Sequence, residues 1–156
     1  MRILVLGIVM VFFLGCKEGK TEKKEDIKSQ KKPNIVLILA DDMGFSDLGN
    51  YGSEINTPSL DRLASEGTRI SRFYTNTICA PSRTSLLTGQ YPHKAGIGFF
   101  NEDFGVPGYE GYLNKESLTL GEVFKNGGYA TYMTGKWHVG DEKSHRPLQR
   151  GFDNFF

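Results

Sequence analysis

Asn34-Ile35-Val36-Leu37-Ile38-Leu39-Ala40-Asp41-Asp42 is the stretch that decides the fold class. Its first seven residues run apolar without polar alternation, the pattern of a strand buried on both faces. Such strands belong to parallel sheets covered by helices. The carboxylate pair stands where the strand ends, and open parallel sheets bind ligands beyond that edge. Two adjacent carboxylates repel each other, and a hard divalent cation with oxygen ligands relieves the repulsion. Asp41 and Asp42 equally fit a solvated turn.

Downstream, the chain alternates helix and strand signals. Thr57-Pro58 opens a helix, with Thr57 as its cap, Leu60, Leu63 and Ala64 on one side and Gly67 at its end. Thr68 to Thr75 alternates around Ile70 and Phe73 and predicts a second strand. Pro81 to Thr88 predicts a short helix closed by Gly89. The glycine- and aromatic-rich stretch from Tyr91 to Tyr112 reads as a long surface loop. Thr119-Leu120-Gly121-Glu122 is a capping box, with Leu118 and Val123 placed for a hydrophobic staple, and the helix stops at Gly127-Gly128. Tyr129 to Thr134 predicts the next strand. The order indicates an α/β domain with a largely parallel sheet flanked by helices. Open sheets of this kind usually hold about five strands, so residues 33–156 read as the N-terminal, truncated part of a catalytic domain.

Two further polar clusters fall at predicted strand ends. In Cys79-Ala80-Pro81-Ser82-Arg83 the proline suits a first helical turn, which places Cys79 ahead of a helix N-terminus. Free N–H groups and the dipole favour an anion there, and Arg83 adds a fixed charge one turn on. Residue by residue, this reads as a reactive cysteine facing an anionic substrate; a packed cysteine before a helix would explain neither Arg83 nor the location. A cysteine-dependent tyrosine phosphatase loop would need arginine at position 85, which is Ser85. In the third cluster, Lys136 and His138 lie between Gly135 and Gly140. Two apart in an extended segment, they share a face. A cation beside a proton-transfer group suits a sulfate or phosphate ester, and a surface loop with a solvated lysine accounts for the same residues.

Together these segments resemble the formylglycine-dependent sulfatases, of arylsulfatase type, within the alkaline-phosphatase-like superfamily. Pro33 to Asp42 is similar to the family's opening strand and metal pair. Cys79 to Gly89 is similar to its signature, and Gly128 to Gly140 to its second signature. Tyr112-Leu113 followed by Glu116 to Leu120 leans toward the arylsulfatases. The resemblance implies an alkaline-phosphatase-like fold and a sulfuric ester hydrolase in which Cys79 is oxidised to formylglycine. One hydroxyl of the hydrated aldehyde attacks sulfur and expels the alcohol. The other is deprotonated, and sulfate leaves by C–O cleavage. It implies Ca²⁺ held by Asp41, Asp42 and the modified Cys79. Arg83 would steady the formylglycine, Lys136 and His138 would bind sulfate, and His138 would also serve as base. The implied partners are an aryl or glycan sulfate ester and a formylglycine-generating maturation enzyme. The same resemblance implies further metal ligands beyond those found here, so the 156 residues alone are expected to be inactive. Asp153-Asn154 matches a different family stretch and is not assigned to the metal. Two other readings compete. One is a formylglycine-dependent phosphonate or phosphate ester hydrolase; the other is an inactive lipoprotein that binds sulfated glycans.

The remaining residues speak to location. Met1-Arg2 followed by the apolar run Ile3 to Leu14 is too short to cross a bilayer, which takes about 20 residues. It reads as a secretory signal. Phe13-Leu14-Gly15-Cys16 resembles a bacterial lipobox, so residues 1–16 are expected to be a lipoprotein signal with Cys16 lipidated. Residues 17–32, mostly lysine, glutamate and aspartate, read as a disordered tether. The expected location is the periplasm, outer membrane or cell surface of a bacterium, with membrane contact through the lipid only. With Cys16 lipidated, Cys79 is left without a disulfide partner, as a small packed group or a chemical one. The formal net charge of +1 gives no basic face for nucleic acid.

Overall fold

The computed structural model describes residues 31–156. The signal, Cys16 and nearly all of the tether therefore lie outside the described residues. Contacts divide the chain into two units, Met1–Leu39 and Ala40–Phe156.

In the first unit, residues 31–39 carry no regular secondary structure. The expected buried strand is absent: Val36 is 82 % and Ile38 77 % exposed. The reason is pairing. An all-apolar strand needs neighbours on its edges and cover on both faces, and no strand among the described residues pairs with it.

The second unit begins with two 3-10 turns, Phe45–Asp47 and Gly49–Tyr51, followed by helix α1, Pro58–Glu66. Thr57 does not cap α1 with its side chain. Its hydroxyl instead accepts from the Gly49 N–H at 2.8 Å and donates to Asp61 Oδ1 at 3.0 Å, tying the preceding turn to the helix. Leu60 and Leu63, on the apolar side of α1, are exposed. Residues 68–75 form bends rather than the expected strand. Helix α2, Cys79–Thr88, starts at the cysteine itself, two residues earlier than expected. It closes at Gly89, whose left-handed φ of 67° lets its N–H reach the Ser85 carbonyl at 2.8 Å.

The stretch from Tyr91 to Tyr112 is irregular, as expected, yet it is not a solvated loop. Ala95 and Ile97 are fully buried. Their backbone is satisfied within the stretch: Ile97 bridges Tyr109, and the Gly98 N–H donates to the Gly108 carbonyl at 2.7 Å. Helix α3, Leu120–Asn126, has the expected capping box, with Thr119 N–H to Glu122 Oε2 at 2.7 Å and Glu122 N–H to Thr119 Oγ1 at 3.1 Å. Leu118 and Val123 stay half exposed, so no staple buries them.

Strand β1, Tyr132–Met133, is shorter than predicted and pairs in parallel with β2, Asn154–Phe155, in register Tyr132 to Asn154 and Met133 to Phe155. Between them run 3-10 turns at Lys143–His145 and Pro147–Arg150. The parallel pair and the flanking helices accord with the expected α/β class. Two side chains fasten this end. Buried Arg150 donates to the Leu113 carbonyl at 2.8 Å and to Glu122 Oε1 at 3.1 Å. Asp153 accepts from the Thr131 N–H at 2.9 Å and pairs with Lys125 at 2.7 Å.

The core comprises Ala80, Ala95, Ile97, Leu113, Trp137 and Val139, with Leu87, Met133 and Phe152 packed against it. Ala80 follows Cys79, and Trp137 and Val139 flank His138. The polar cluster therefore stands directly on the core.

Candidate active site

The site is built from three segments of the second unit. Cys79 occupies the first turn of α2, where backbone N–H groups have no intrahelical partner. Arg83 follows one turn later on the same helical face. Residues 135–140 leave β1 with alternating burial: Trp137 and Val139 point into the core, while Lys136 is exposed and His138 half-buried. Trp137 is fixed by its indole N–H, which donates to the His145 carbonyl at 2.9 Å. The expected shared face of Lys136 and His138 is thus present, although His138 is not extended. Its φ is +56°. Gly140 has φ +128°, and a Cβ there would meet His145 Cβ at 2.6 Å, so only glycine fits this turn.

The five expected residues for which contacts are resolved come together. Cys79 Sγ lies 3.3 Å from His138 Nδ1. Arg83 Nη1 donates to the Lys136 carbonyl at 2.7 Å, and Arg83 Nη2 pairs with Asp41 Oδ1 at 3.4 Å. Lys136 Nζ pairs with Asp41 Oδ2 at 2.8 Å. Asp41 is therefore held between two cations. Arg83 Nε, buried, has no hydrogen-bond partner. A buried guanidinium proton left unmatched is a donor waiting for an acceptor. Among the described residues, Asp42 and His138 are the only non-glycine residues with left-handed φ, at 55° and 56°. Backbone strain of this kind collects at functional sites.

The charges follow from these contacts. The Lys136 ammonium, hydrogen-bonded to Asp41, holds that carboxyl below the usual carboxylate range, with Arg83 adding to the effect. In return Asp41 raises the Lys136 pKa. Burial, and then the positive charge of Lys136, push His138 below the ordinary histidine value. A neutral imidazole beside Cys79, framed by an arginine and a lysine, can accept a proton while the cations hold an anion.

A metal is a different matter. Ca²⁺ takes about six to eight oxygen ligands. Among the described residues no three His, Cys, Asp or Glu side chains gather as a metal site, and both Asp41 oxygens are engaged by cations. These residues do not by themselves form a Ca²⁺ cage, although adjacent carboxylates at Asp41 and Asp42 are a fitting part of one.

Two contributors escape sequence reasoning. Asn76 donates to the Pro81 carbonyl at 3.3 Å and to Ser85 Oγ at 3.0 Å, while its own carbonyl accepts from Ser82 Oγ at 2.8 Å. It clamps the entry to α2, and no spacing signal marks it. Phe100 brings its ring to 6.1 Å from the His138 imidazole. Its only advance sign is an aromatic pair in a glycine-rich stretch.

The chain matches the protein family Sulfatase over residues 33–156. It is 46 % identical over 134 residues to an uncharacterized sulfatase of Schizosaccharomyces pombe, covering 81 % of this chain and 24 % of that one. It is 43 % identical over 130 residues to an arylsulfatase of Klebsiella aerogenes, covering 81 % of this chain and 28 % of that one. The solved structure of Ps i-CgsB in complex with k-i-k-neocarrahexaose superimposes with a TM-score of 0.70 at 39 % identity, over 80 % of this chain and 28 % of that one. The chain thus spans about a quarter of the length of the relatives it matches.

Proposed function

The chain belongs to the sulfatase family, and on that premise we propose that the whole protein is a sulfuric ester hydrolase whose nucleophile is a formylglycine made from Cys79. The observation that carries this reading is the 3.3 Å approach of Cys79 and His138 inside a frame of Arg83, Lys136 and Asp41. The hydrated aldehyde supplies one hydroxyl to attack sulfur and a second whose deprotonation lets sulfate leave.

The chain's own residues do the rest. His138 takes the proton at position 79 and, kept neutral, is ready to do so. Arg83 is braced by the Lys136 carbonyl and keeps an unmatched Nε; in this reading it donates to an oxygen of the modified residue 79. Lys136 binds a sulfate oxygen. Asp41 and Asp42 contribute to a Ca²⁺ site completed by other parts of the whole protein.

The substrate is an aryl or glycan sulfate, the latter supported by the neocarrahexaose bound to Ps i-CgsB. The protein is exported, anchored through Cys16, and matured by a formylglycine-generating enzyme. The test is hydrolysis by the whole protein, co-expressed with such an enzyme, of 4-nitrophenyl sulfate, 4-nitrophenyl phosphate and a phenylphosphonate monoester. Preference for the sulfate supports the proposal. Preference for either phosphorus ester contradicts it and favours a phosphonate or phosphate hydrolase.

A further inference from the structure

The 3.3 Å approach of Cys79 to His138 depends on how each is held, and the two are held by different means. On the His138 side, Trp137 and Val139 are buried in the core. Cys79 stands at the first position of α2, and helix ends are where fraying begins. Its N-cap, Ile78, has no side-chain oxygen to offer the free N–H groups of that turn. A reactive residue placed there needs a brace from elsewhere.

Asn76, shortly before Cys79 in the chain, is that brace. Its amide donates to Ser85 Oγ at 3.0 Å and to the Pro81 carbonyl at 3.3 Å. Its backbone carbonyl accepts from Ser82 Oγ at 2.8 Å. The helical repeat puts Ile78, Ser82 and Ser85 on one face, Cys79 and Arg83 on the next, and Ala80 and Thr84 on a third. Ala80 and Thr84 are fully buried, and Arg83 donates to the Lys136 carbonyl at 2.7 Å. Asn76 fastens the remaining face, and it does so from the segment that leads into Cys79.

We infer that Asn76 is a positioning residue for the reaction: its amide strut fixes the backbone entering α2 and so holds residue 79 at the separation from His138 that proton transfer requires. The inference rests on the reading of Cys79 as the reacting position. Reacting groups tolerate little displacement, and a misplacement of about 1 Å can cost about 100-fold in rate. The backbone ladder of α2 needs neither of the amide's bonds. Losing them loosens the approach to residue 79 and leaves the helix formed. Arg83 and Lys136 keep their own contact, so the pair that holds the anion stays in place.

The experiment uses the whole, matured protein with Asn76→Ala, Ser85→Ala and the two together. The formylglycine fraction of each is measured by peptide mass, and kcat for 4-nitrophenyl sulfate is expressed per formylglycine. Inorganic sulfate serves as a competitive inhibitor. Asn76→Ala is expected to lower kcat about 10- to 100-fold, with KM and sulfate inhibition within about twofold of wild type. Ser85→Ala, which removes one acceptor of the amide, is expected to lower kcat about 2- to 10-fold. The double variant should be no slower than Asn76→Ala, because both changes break the same bond. A double variant slower by the full Ser85→Ala factor overturns the strut. A lowered Tm with wild-type kcat in the folded fraction makes Asn76 structural only and overturns the role. Weakened sulfate inhibition also overturns it, because α2 would then have moved as a whole. So does a loss confined to the formylglycine fraction, which would make Asn76 a contact of the maturation enzyme. If Asn76→Ala does not fold, Ser85→Ala decides, and wild-type kcat in that variant overturns the role. If wild-type protein with confirmed formylglycine hydrolyses no sulfate ester, the hydrolase reading fails and the role falls with it. An active wild type matched by equally active variants removes the positioning role alone.

Discussion

Nδ1 of His138 lies 3.3 Å from Sγ of Cys79, although 59 residues separate them in the chain. The strained backbone of His138 and the buried side chains of Trp137 and Val139 on either side produce this approach. If the imidazole moves the proton at position 79, His138→Ala lowers kcat by about 100- to 10,000-fold. Circular dichroism should show the fold intact, since His138 is not a core residue. A loss below about tenfold would make it a mere neighbour.

Arg83 uses both ends of its fork, one on the Lys136 carbonyl and one on Asp41. Lysine carries the charge without the planar fork. Arg83→Lys is therefore expected to lower kcat/KM by about 10- to 100-fold. The check is steady-state kinetics, with a thermal melt to confirm that the buried position tolerates lysine.

Arg150 sits in a polar knot, bonded to Glu122 and to the carbonyls of Leu113 and Asn114. Removing Arg150 leaves half-buried Glu122 without its counter-charge and three backbone carbonyls without their donor. Arg150→Met should destabilise the whole protein by about 3 kcal/mol. Adding Glu122→Gln to that variant should recover part of the loss. Urea denaturation of both variants measures it, and kcat of the folded fraction should not change.

Asp153 contributes a pH dependence to the stability. The Lys125 ammonium, with the Thr131 N–H, lowers its pKa from 3.8 to about 2. A depressed carboxyl stabilises the folded state above its unfolded pKa. That contribution is complete above the ordinary value of 3.8 and is lost as pH falls toward about 2. Asp153→Asn should therefore be less stable than wild type at neutral pH, and the gap should close across that window. Melting temperatures over the acid range test this, and a gap that widens on acidification would contradict it.

Local signals carried the site better than they carried the sheet. Cys79, Arg83, Lys136 and His138 are legible because each pair lies within one helical turn or one short segment. Asp41 is legible through its place after the apolar run. Asn34 to Ala40 misleads because its composition reports what a strand needs and not whether a neighbour pairs with it. Thr68 to Thr75 fails for the same reason, having alternation without a partner. The stretch from Tyr91 to Tyr112 hides Ala95 and Ile97 from periodicity, because turns bonded to other turns bury residues at no fixed spacing. Asn76 is invisible because its clamp joins its amide and its carbonyl to Pro81, Ser82 and Ser85 through contacts that no sequence spacing records.

The most direct test is the mass of the peptide containing Cys79, isolated by proteolysis from the whole protein after co-expression with a formylglycine-generating enzyme. The account predicts an aldehyde in place of the thiol, with sulfate ester hydrolysis rising in proportion to the modified fraction. An intact thiol at position 79 in protein that still cleaves sulfate esters would contradict it.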